Sequence, residues 1–180
     1  MTPFDKPIRM VNITRLGLIS DTHGNAPRTK QVLDRLVDMN IDALIHCGDI
    51  GSSGVLDHLV DLSLDHDLRV ICVLGNVDVW NSDIEQYPPL GKLTIAGRKV
   101  LIRAGGKTCA VVHGDDPRTM QAALEQPKLD YLFTGHTHQA DDRIIDGVRV
   151  INPGAIHRAP EPSFATLDLP TGLLATHRIG

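Results

Sequence analysis

The residues of this sequence that could do chemistry stand directly after apolar runs of strand length. Five such runs lead into short segments in which glycine neighbours aspartate, asparagine or histidine. These segments are Asp21-Thr22-His23-Gly24, Gly48-Asp49, Gly75-Asn76-Val77-Asp78, His113-Gly114-Asp115 and Gly135-His136-Thr137-His138. Glycine allows the backbone to turn sharply beside a polar side chain. Because the arrangement recurs five times, we expect the polar side chains of these segments to act together.

The side chains in these segments match the ligands of divalent transition metals. In an α/β sheet, ligands bind beyond the carboxyl ends of the strands, so five strand ends would bring their polar residues to one region. Imidazole, carboxylate and amide oxygen suit Mn, Fe, Zn, Co or Ni better than a metal that prefers thiolate. Two ions about 3.5–4 Å apart would use about this many ligands if one carboxylate bridges them. The candidate ligands are Asp21, His23, Asp49, Asn76, His113, His136 and His138.

The first half of the chain supplies a parallel sheet to position the first three segments. Apolar runs predict strands at 13–20, 41–47 and 69–74. Helical periodicity predicts helices at 28–39 and 55–64 between them. The resulting βαβαβ order indicates parallel strands joined by right-handed crossovers.

The second half of the chain has shorter runs separated by turn residues, which is typical of antiparallel hairpins. The predicted strands are 93–95, 99–103, 108–112, 131–134, 164–168 and 173–178, with a further hairpin through Asp146-Gly147. A helix is predicted at 117–125, with Pro117 in its first turn and Asp115 or Asp116 as its cap. No repeat or linker interrupts the pattern. We therefore expect one α/β domain over residues 1–180, with residues 1–12 as a loosely ordered extension.

Composition narrows the function classes. The chain has 180 residues, 42% of them hydrophobic and 22% charged, as in ordinary globular proteins. Its formal net charge of −4 disfavours nucleic acid as a partner. No run approaches the roughly 18 apolar residues of a membrane span, and the N-terminus lacks a signal-peptide core. Cys47, Cys72 and Cys109 lie in apolar runs without CxxC spacing, which indicates core thiols in a cytoplasmic protein.

The order of the five segments, followed by Asn152-Pro153-Gly154, resembles the calcineurin-like metallophosphoesterases. It is most similar to their small single-domain branch, and the matching motifs extend from about residue 16 to residue 156. One tetrapeptide would carry little weight, whereas five in order at strand ends are specific. The resemblance implies a four-layer αββα sandwich of two mixed β-sheets flanked by helices.

The resemblance also implies a role for each candidate ligand. One metal would be held by Asp21, His23 and His138, the other by Asn76, His113 and His136, with Asp49 bridging the two. A metal-bridging hydroxide held by these ligands would attack phosphorus in line, since two cations lower the pKa of a shared water and neutralise charge in the transition state. We expect Mn²⁺ as the metal, with Fe, Zn, Ni, Co and Mg as alternatives.

Four further residues are candidates for the second shell or for substrate contact. Asp78 is expected to orient a ligand through a hydrogen bond. Trp80 either covers the edge of the core or stacks on an aromatic part of the substrate. His157 and Arg158 follow the Asn-Pro-Gly turn that the family places near its site. His46 is interpreted as a hydrogen-bonded core residue, with a second-shell role as the alternative. His58 and His66 are interpreted as solvated surface residues, and His177 lies in the last predicted strand.

Val77 departs from the pattern of many relatives, which carry histidine at this position. That histidine can protonate the leaving oxygen or stabilise the phosphoryl group, and valine can do neither. The small single-domain branch commonly lacks the histidine, so the enzyme prediction stands. The source of the leaving-group proton stays open, with a metal-bound water or His157 as candidates.

The sequence predicts a two-metal phosphoesterase that acts on a small soluble phosphate ester. Within that class, a phosphodiesterase is the preferred prediction. Nucleotide pyrophosphatase or nuclease activity is the alternative among enzymes. The alternative from another class is a non-catalytic scaffold, because a retromer subunit resembles this fold. All seven ligand positions are intact, which favours the enzyme. The sequence leaves homo-oligomers open and predicts no membrane association.

Overall fold

The computed structural model describes residue 4 and residues 6–180. This part of the chain forms twelve strands and four helices. The strands are β1 Ile8–Arg9, β2 Arg15–Ile19, β3 Ala43–His46, β4 Arg69–Cys72, β5 Leu93–Ile95, β6 Lys99–Ala104, β7 Lys107–Val112, β8 Tyr131–Phe133, β9 Ala140–Ile145, β10 Val148–Pro153, β11 Ser163–Asp168 and β12 Leu174–Arg178. The helices are α1 Ala26–Asp38, α2 Ser53–Asp65, α3 Ser82–Glu85 and α4 Pro117–Leu124.

The strands form two mixed sheets of six. The first sheet has the order β12-β11-β2-β3-β4-β5, in which β2 to β5 run parallel and β11 is antiparallel to both of its neighbours. The second sheet has the order β1-β6-β7-β8-β10-β9, with parallel pairs at β7·β8 and β8·β10. The predicted βαβαβ unit is therefore confirmed as β2-α1-β3-α2-β4.

The prediction that Leu93–Ile95 belongs to an antiparallel hairpin is wrong. This strand, β5, pairs in parallel with β4, where Val70 lies opposite Leu93. Backbone pairing with this sheet continues beyond the strand, through hydrogen bonds from Ala96 N–H to the Cys72 carbonyl (2.8 Å) and from Leu74 N–H to the Gly97 carbonyl (2.7 Å). The chain enters the second sheet only at β6, which forms the predicted hairpin with β7.

Three hydrophobic clusters separate four layers. Alternate residues of β2 illustrate the arrangement: Leu16 and Leu18 face the second sheet, whereas Ile19 packs in the cluster beneath α1 and α2. On the second sheet, Val111 faces the first sheet and Val112 faces α4. The four-layer αββα sandwich is thereby confirmed. The three cysteines are buried within these clusters or beside them, as predicted.

Local sequence sets the helix starts at the ligand loops. Asn25 caps α1 by accepting a hydrogen bond from Arg28 N–H (3.2 Å), so the helix begins two residues before the predicted position. Asp116 caps α4, which confirms one of the two predicted caps. Within the described residues, no helix has both the length and the apolarity that a membrane crossing requires.

Part of the predicted N-terminal extension, residues 1–12, is a strand. Ile8 and Arg9 of β1 pair in parallel with Ile102 and Arg103 of β6. Residues 1–3 and 5 lie outside the described part, so the prediction of loose order there, like that of a single domain, stays a prediction.

Candidate metal centre

Both sheets deliver candidate ligands to one end of the sandwich. Asp21, Asp49 and Asn76 follow β2, β3 and β4, the adjacent parallel strands of the first sheet. His113 follows β7, and the loop containing His136 and His138 follows β8, the parallel neighbour of β7 in the second sheet. The carboxyl ends of these strands point the same way, which is why segments far apart in sequence meet.

The first group of ligand atoms consists of Asp21, His23 and His138, whose atoms all lie within 4.8 Å of one another. His138 Nε2 is 3.2 Å from Asp21 Oδ1 and 3.1 Å from His23 Nε2. The His138 Nδ1–H group donates to the Arg158 carbonyl at 3.0 Å, so in the neutral ring Nε2 carries a lone pair. This lone pair is directed at Asp21 and His23, so the three side chains could share one metal ion.

The second group consists of Asp21, Asp49 and His113. His113 Nε2 is 3.3 Å from Asp49 Oδ1, and His113 Nδ1–H donates to the Cys47 carbonyl at 2.8 Å. The other oxygen of Asp49, Oδ2, is 3.7 Å from His23 Nε2. The two oxygens of Asp49 therefore face different groups, an arrangement in which one carboxylate can bridge two metal ions. Asp21 also belongs to both groups, which the sequence did not predict.

His136 and Asn76 border the second group. The His136 ring lies edge-on to the His113 ring at 5.2 Å between centroids, and His136 N–H donates to Asp21 Oδ2 at 3.1 Å. Asn76 is exposed, and the next residue, Val77, donates its N–H to Asp49 Oδ1 at 3.1 Å. The structure thus brings all seven candidate ligands to this end, five of them through close ligand atoms.

Two ligand atoms lack a hydrogen-bond partner. Among the described residues, the buried side-chain atoms without one are Ser20 Oγ, Asp21 Oδ1, His58 Nδ1 and His113 Nε2. A buried polar atom without a partner costs about 1–3 kcal/mol, so native structures rarely keep one without a reason. Asp21 Oδ1 and His113 Nε2 face each other at 4.0 Å. Nitrogen and carboxylate oxygen in this arrangement fit a divalent first-row metal ion.

The Asp21 and Asp49 carboxylates change the pKa values of the histidines around them. Burial works to lower the pKa of His113, but the carboxylates of Asp49, 3.3 Å from Nε2, and of Asp21 outweigh burial and raise it. Burial works to raise the pKa of Asp49, but His113, the Val77 N–H and His23 together lower it. The two carboxylates therefore attract positive charge to His113 Nε2, and a metal ion bound there would supply it. Burial lowers the pKa of His23, which favours the neutral, ligating ring.

The backbone at the ligands is strained. Five of the eleven non-glycine residues with left-handed φ in the described chain are candidate ligands, namely Asp21, His23, Asp49, His136 and His138, with φ between 44° and 67°. Each left-handed residue costs roughly 1–2 kcal/mol. Hydrogen bonds between the loops offset this cost, among them Asp21 N–H to the Gly48 carbonyl (3.0 Å) and His23 N–H to the Asp49 carbonyl (2.9 Å). Strain of this kind concentrates at functional sites.

Two positions must be glycine because atoms of a neighbouring ligand loop lie against their backbone. A Cβ at Gly75 would collide with Oδ1, Cγ and the backbone nitrogen of Asp49. A Cβ at Gly135 would collide with Ser20 Oγ and approach Asp21 Oδ2. The glycine beside a ligand therefore leaves room for the carboxylate of the neighbouring loop.

Asp78 holds two ligand loops together. Its buried carboxylate accepts hydrogen bonds from the N–H groups of Ile50 (3.0 Å), Gly51 (2.9 Å) and Gly75 (2.9 Å). Burial raises its pKa in spite of these three donors. Asp78 thus fixes the backbone beside Asp49 to the turn that carries Asn76, and acts through backbone groups and not on a ligand side chain.

The remaining sequence candidates occupy different positions. His157 N–H donates to the Asp21 carbonyl (3.1 Å), and its Nδ1 lies 3.2 Å from Asn25 Nδ2. Arg158 is exposed and accepts from His138 through its carbonyl. Trp80 is 92% exposed, so it does not cover the edge of the core.

Sequence reasoning missed Arg98. Its guanidinium binds both oxygens of Asp115 (2.7 and 2.6 Å) and the Leu74 carbonyl (3.3 Å), which ties the loop after His113 to the end of β4. No sequence signal marks this contact, because the two partners are 17 residues apart and meet only when the chain changes sheets.

A two-sheet sandwich with Asp, His and Asn side chains gathered beyond its strand ends defines a candidate metallohydrolase. The chain matches the calcineurin-like phosphoesterase superfamily domain over residues 14–172, and it belongs to that family. It is therefore a phosphoesterase of a hydrolase family that binds divalent metals, and the resemblance predicted from the sequence is confirmed.

Individual proteins agree with this placement. A phosphodiesterase of Methanocaldococcus jannaschii is 26% identical over 141 residues, which cover 78% of this chain and 82% of that protein. The structure of an archaeal phosphodiesterase is similar in fold, with a TM-score of 0.77 at 23% identity over 92% of this chain and 99% of that one. Vps29 of Entamoeba histolytica, complexed with Zn²⁺, has a TM-score of 0.60 at 22% identity, covering 92% and 98%.

Proposed function

We propose that this protein is a phosphodiesterase that uses two divalent metal ions held by the seven candidate ligands. The observation that carries the proposal is the pair of partnerless atoms, Asp21 Oδ1 and His113 Nε2, at the junction of two ligand groups. Asp21, His23 and His138 would hold one ion. Asn76, His113 and His136 would hold the other, and Asp49 would bridge them.

The metal ions would activate water and neutralise charge on the phosphoryl oxygens. The protein prepares the ligands for them. Carbonyl acceptors at Cys47 and Arg158 bind Nδ1–H of His113 and His138, so both rings direct Nε2 towards the centre. Helices α1 and α2 begin shortly after the loops of Asp21 and Asp49, and the positive ends of their dipoles favour an anionic substrate.

We propose a small soluble phosphate diester as the substrate and Mn²⁺ as the metal. The named phosphodiesterase relative supports the diester. Exposed residues border the centre, which leaves it open to a small molecule: Asn76, His136 and Arg158. Arg158 and His157 are proposed to contact the substrate, with Trp80 as a stacking surface. The buried free thiols support a cytoplasmic location.

The likeness to Vps29 concerns the fold alone, so the ligand set distinguishes the scaffold alternative from the enzyme. The enzyme requires both a complete ligand set and an open site, and this chain has the full set. Among enzymes, the net charge of −4 gives no support to a nuclease.

The proposal is tested by removing the metal, adding it back and measuring phosphodiester hydrolysis each time. Dialysis against a chelator should abolish hydrolysis of bis(p-nitrophenyl) phosphate, and Mn²⁺ should restore it, with two ions per chain by elemental analysis. Parallel assays with p-nitrophenyl phosphate and a nucleoside diphosphate would separate diesterase from monoesterase and pyrophosphatase activity. Full activity in metal-free protein would refute the proposal, as would wild-type protein that binds metal and hydrolyses no phosphate ester.

A further inference from the structure

His46 lies on β3 beneath the ligand loops and is fully buried. Its Nδ1 accepts a hydrogen bond from Gly48 N–H at 3.1 Å, and its Nε2 is 3.0 Å from Thr22 Oγ1. Because Nδ1 is the acceptor, the neutral ring carries its proton on Nε2 and donates it to the Thr22 hydroxyl. Burial lowers the pKa of His46 to about 3, so the ring stays neutral near physiological pH.

The Thr22 hydroxyl extends this chain of hydrogen bonds to the other loop. Having accepted from His46, it can donate its own proton to the Ile50 carbonyl at 2.9 Å, with the Asp49 carbonyl at 3.3 Å. Thr22 stands between two candidate ligands in sequence, and Gly48 and Ile50 stand on either side of a third. Two buried side chains therefore connect both loops that supply the shared carboxylates.

We propose that His46 is a positioning residue that acts through Thr22 to fix the Asp21 loop relative to the Asp49 loop, and thereby sets metal affinity. The inference rests on the proposed metal centre. It follows from the strain described above, because left-handed residues in both loops hold their places only under external hydrogen bonds. Groups that orient metal ligands typically change metal affinity about 10–100-fold when removed.

Three substitutions separate the contacts. Thr22→Val removes the hydroxyl and keeps the shape of the side chain. Thr22→Ser keeps the hydroxyl and should bind metal nearly as wild type does. His46→Gln keeps a donor for Thr22 and loses the acceptor for Gly48, so it should lie between wild type and Thr22→Val.

The chain supplies a matched control pair. Thr166 Oγ1 and His177 Nε2 are also 3.0 Å apart, on β11 and β12, away from the ligand loops. Thr166→Val removes the same kind of hydrogen bond, so it should leave metal affinity unchanged.

The experiment is calorimetric titration of chelator-treated protein with Mn²⁺, together with thermal unfolding in chelator. We expect the Mn²⁺ dissociation constant to be about 10–100-fold higher for Thr22→Val than for the wild type. Thr22→Ser should restore wild-type affinity, and Thr166→Val should leave it unchanged. Wild-type Mn²⁺ affinity in Thr22→Val would overturn this inference and leave the proposed function standing, whatever the stability of the variant. If Thr22→Val does not fold, wild-type affinity in His46→Gln would overturn it. Wild-type protein that binds no Mn²⁺ would overturn the proposed function and this inference together.

Discussion

Replacing Gly75 with alanine should damage the metal centre directly. The backbone at Gly75 lies outside the left-handed φ region, so alanine can adopt its conformation. The new Cβ, however, would collide with Asp49 atoms on both the side chain and the backbone. Either Asp49 or the turn that carries Asn76 has to move, and both carry candidate ligands.

The expected magnitude has two parts. Overpacking a buried position typically costs about 1–3 kcal/mol, and at about 2–4 °C per kcal/mol for a domain of this size the melting temperature in chelator should fall by about 2–12 °C. Displacing a ligand by a fraction of its bond length should weaken Mn²⁺ binding about 10–100-fold. The assays are thermal unfolding in chelator and calorimetric titration with Mn²⁺.

Gly54→Ala is the matched control. Gly54 lies in the first turn of α2, and a Cβ there would meet Ala26 Cβ at an ordinary 3.7 Å. Alanine should stabilise this helix by about 0.4–1 kcal/mol and leave metal affinity unchanged. Wild-type Mn²⁺ affinity in Gly75→Ala would refute the reasoning, because it would show that the contact with Asp49 relaxes without effect on the centre.

Three further predictions concern single positions at this centre. Asp49→Ala should lower metal occupancy at both sites by elemental analysis, because its two oxygens face different ligand groups, whereas His138→Ala should mainly empty one site and Asn76→Ala the other. Asp78→Asn should cost roughly 1–3 kcal/mol of stability and weaken Mn²⁺ binding, because an amide nitrogen replaces an oxygen that accepts from backbone N–H groups. For the wild type, kcat/KM across substituted phenyl diesters should fall steeply as the leaving-group pKa rises, since Val77 supplies no acid and a positioned acid contributes about 10²–10⁴-fold. Val77→His should flatten that dependence.

Each of these predictions has a result that contradicts it. Two ions retained in Asp49→Ala would argue against bridging. For Asp78→Asn, the control is the same substitution at the exposed Asp83. Equal losses of stability and Mn²⁺ affinity in the two variants would contradict the structural role of Asp78. A shallow leaving-group dependence in the wild type would show that another residue already supplies the proton, and Val77 would then not limit the reaction.

Local patterns in the sequence account for most of the first sheet and for the place of the ligands. Helical periodicity predicted α1, whose apolar face consists of Val32, Leu33, Leu36 and Val37. The first three are buried against the sheet and Val37 is half-buried. Strand ends with Asp, Asn or His were sufficient to predict one common site, because adjacent parallel strands must end together. The ligand roles stay predictions until metal is measured.

Long-range pairing explains what the sequence did not reveal. Leu93–Ile95 carries the same apolar signal in either sheet, and only its hydrogen bonds to β4 decide its parallel pairing. The two-residue strand β1 is too short for any periodicity, and Pro7 precedes it. His46 was correctly interpreted as a hydrogen-bonded buried residue, but its partner Thr22 could be found only from the contact between two loops.

The left-handed backbone at the ligands also determines which mutations the chain can survive. Asparagine and glycine accept this conformation, whereas β-branched residues resist it strongly. Asp21→Asn or Asp49→Gly should therefore weaken metal binding in a protein that still folds, while Asp49→Val would strain the backbone as well. A small set of substitutions could thus turn the enzyme into a folded protein with a weakened metal centre. A library screened for expression without selection for activity should recover asparagine and glycine at these positions far more often than valine or isoleucine.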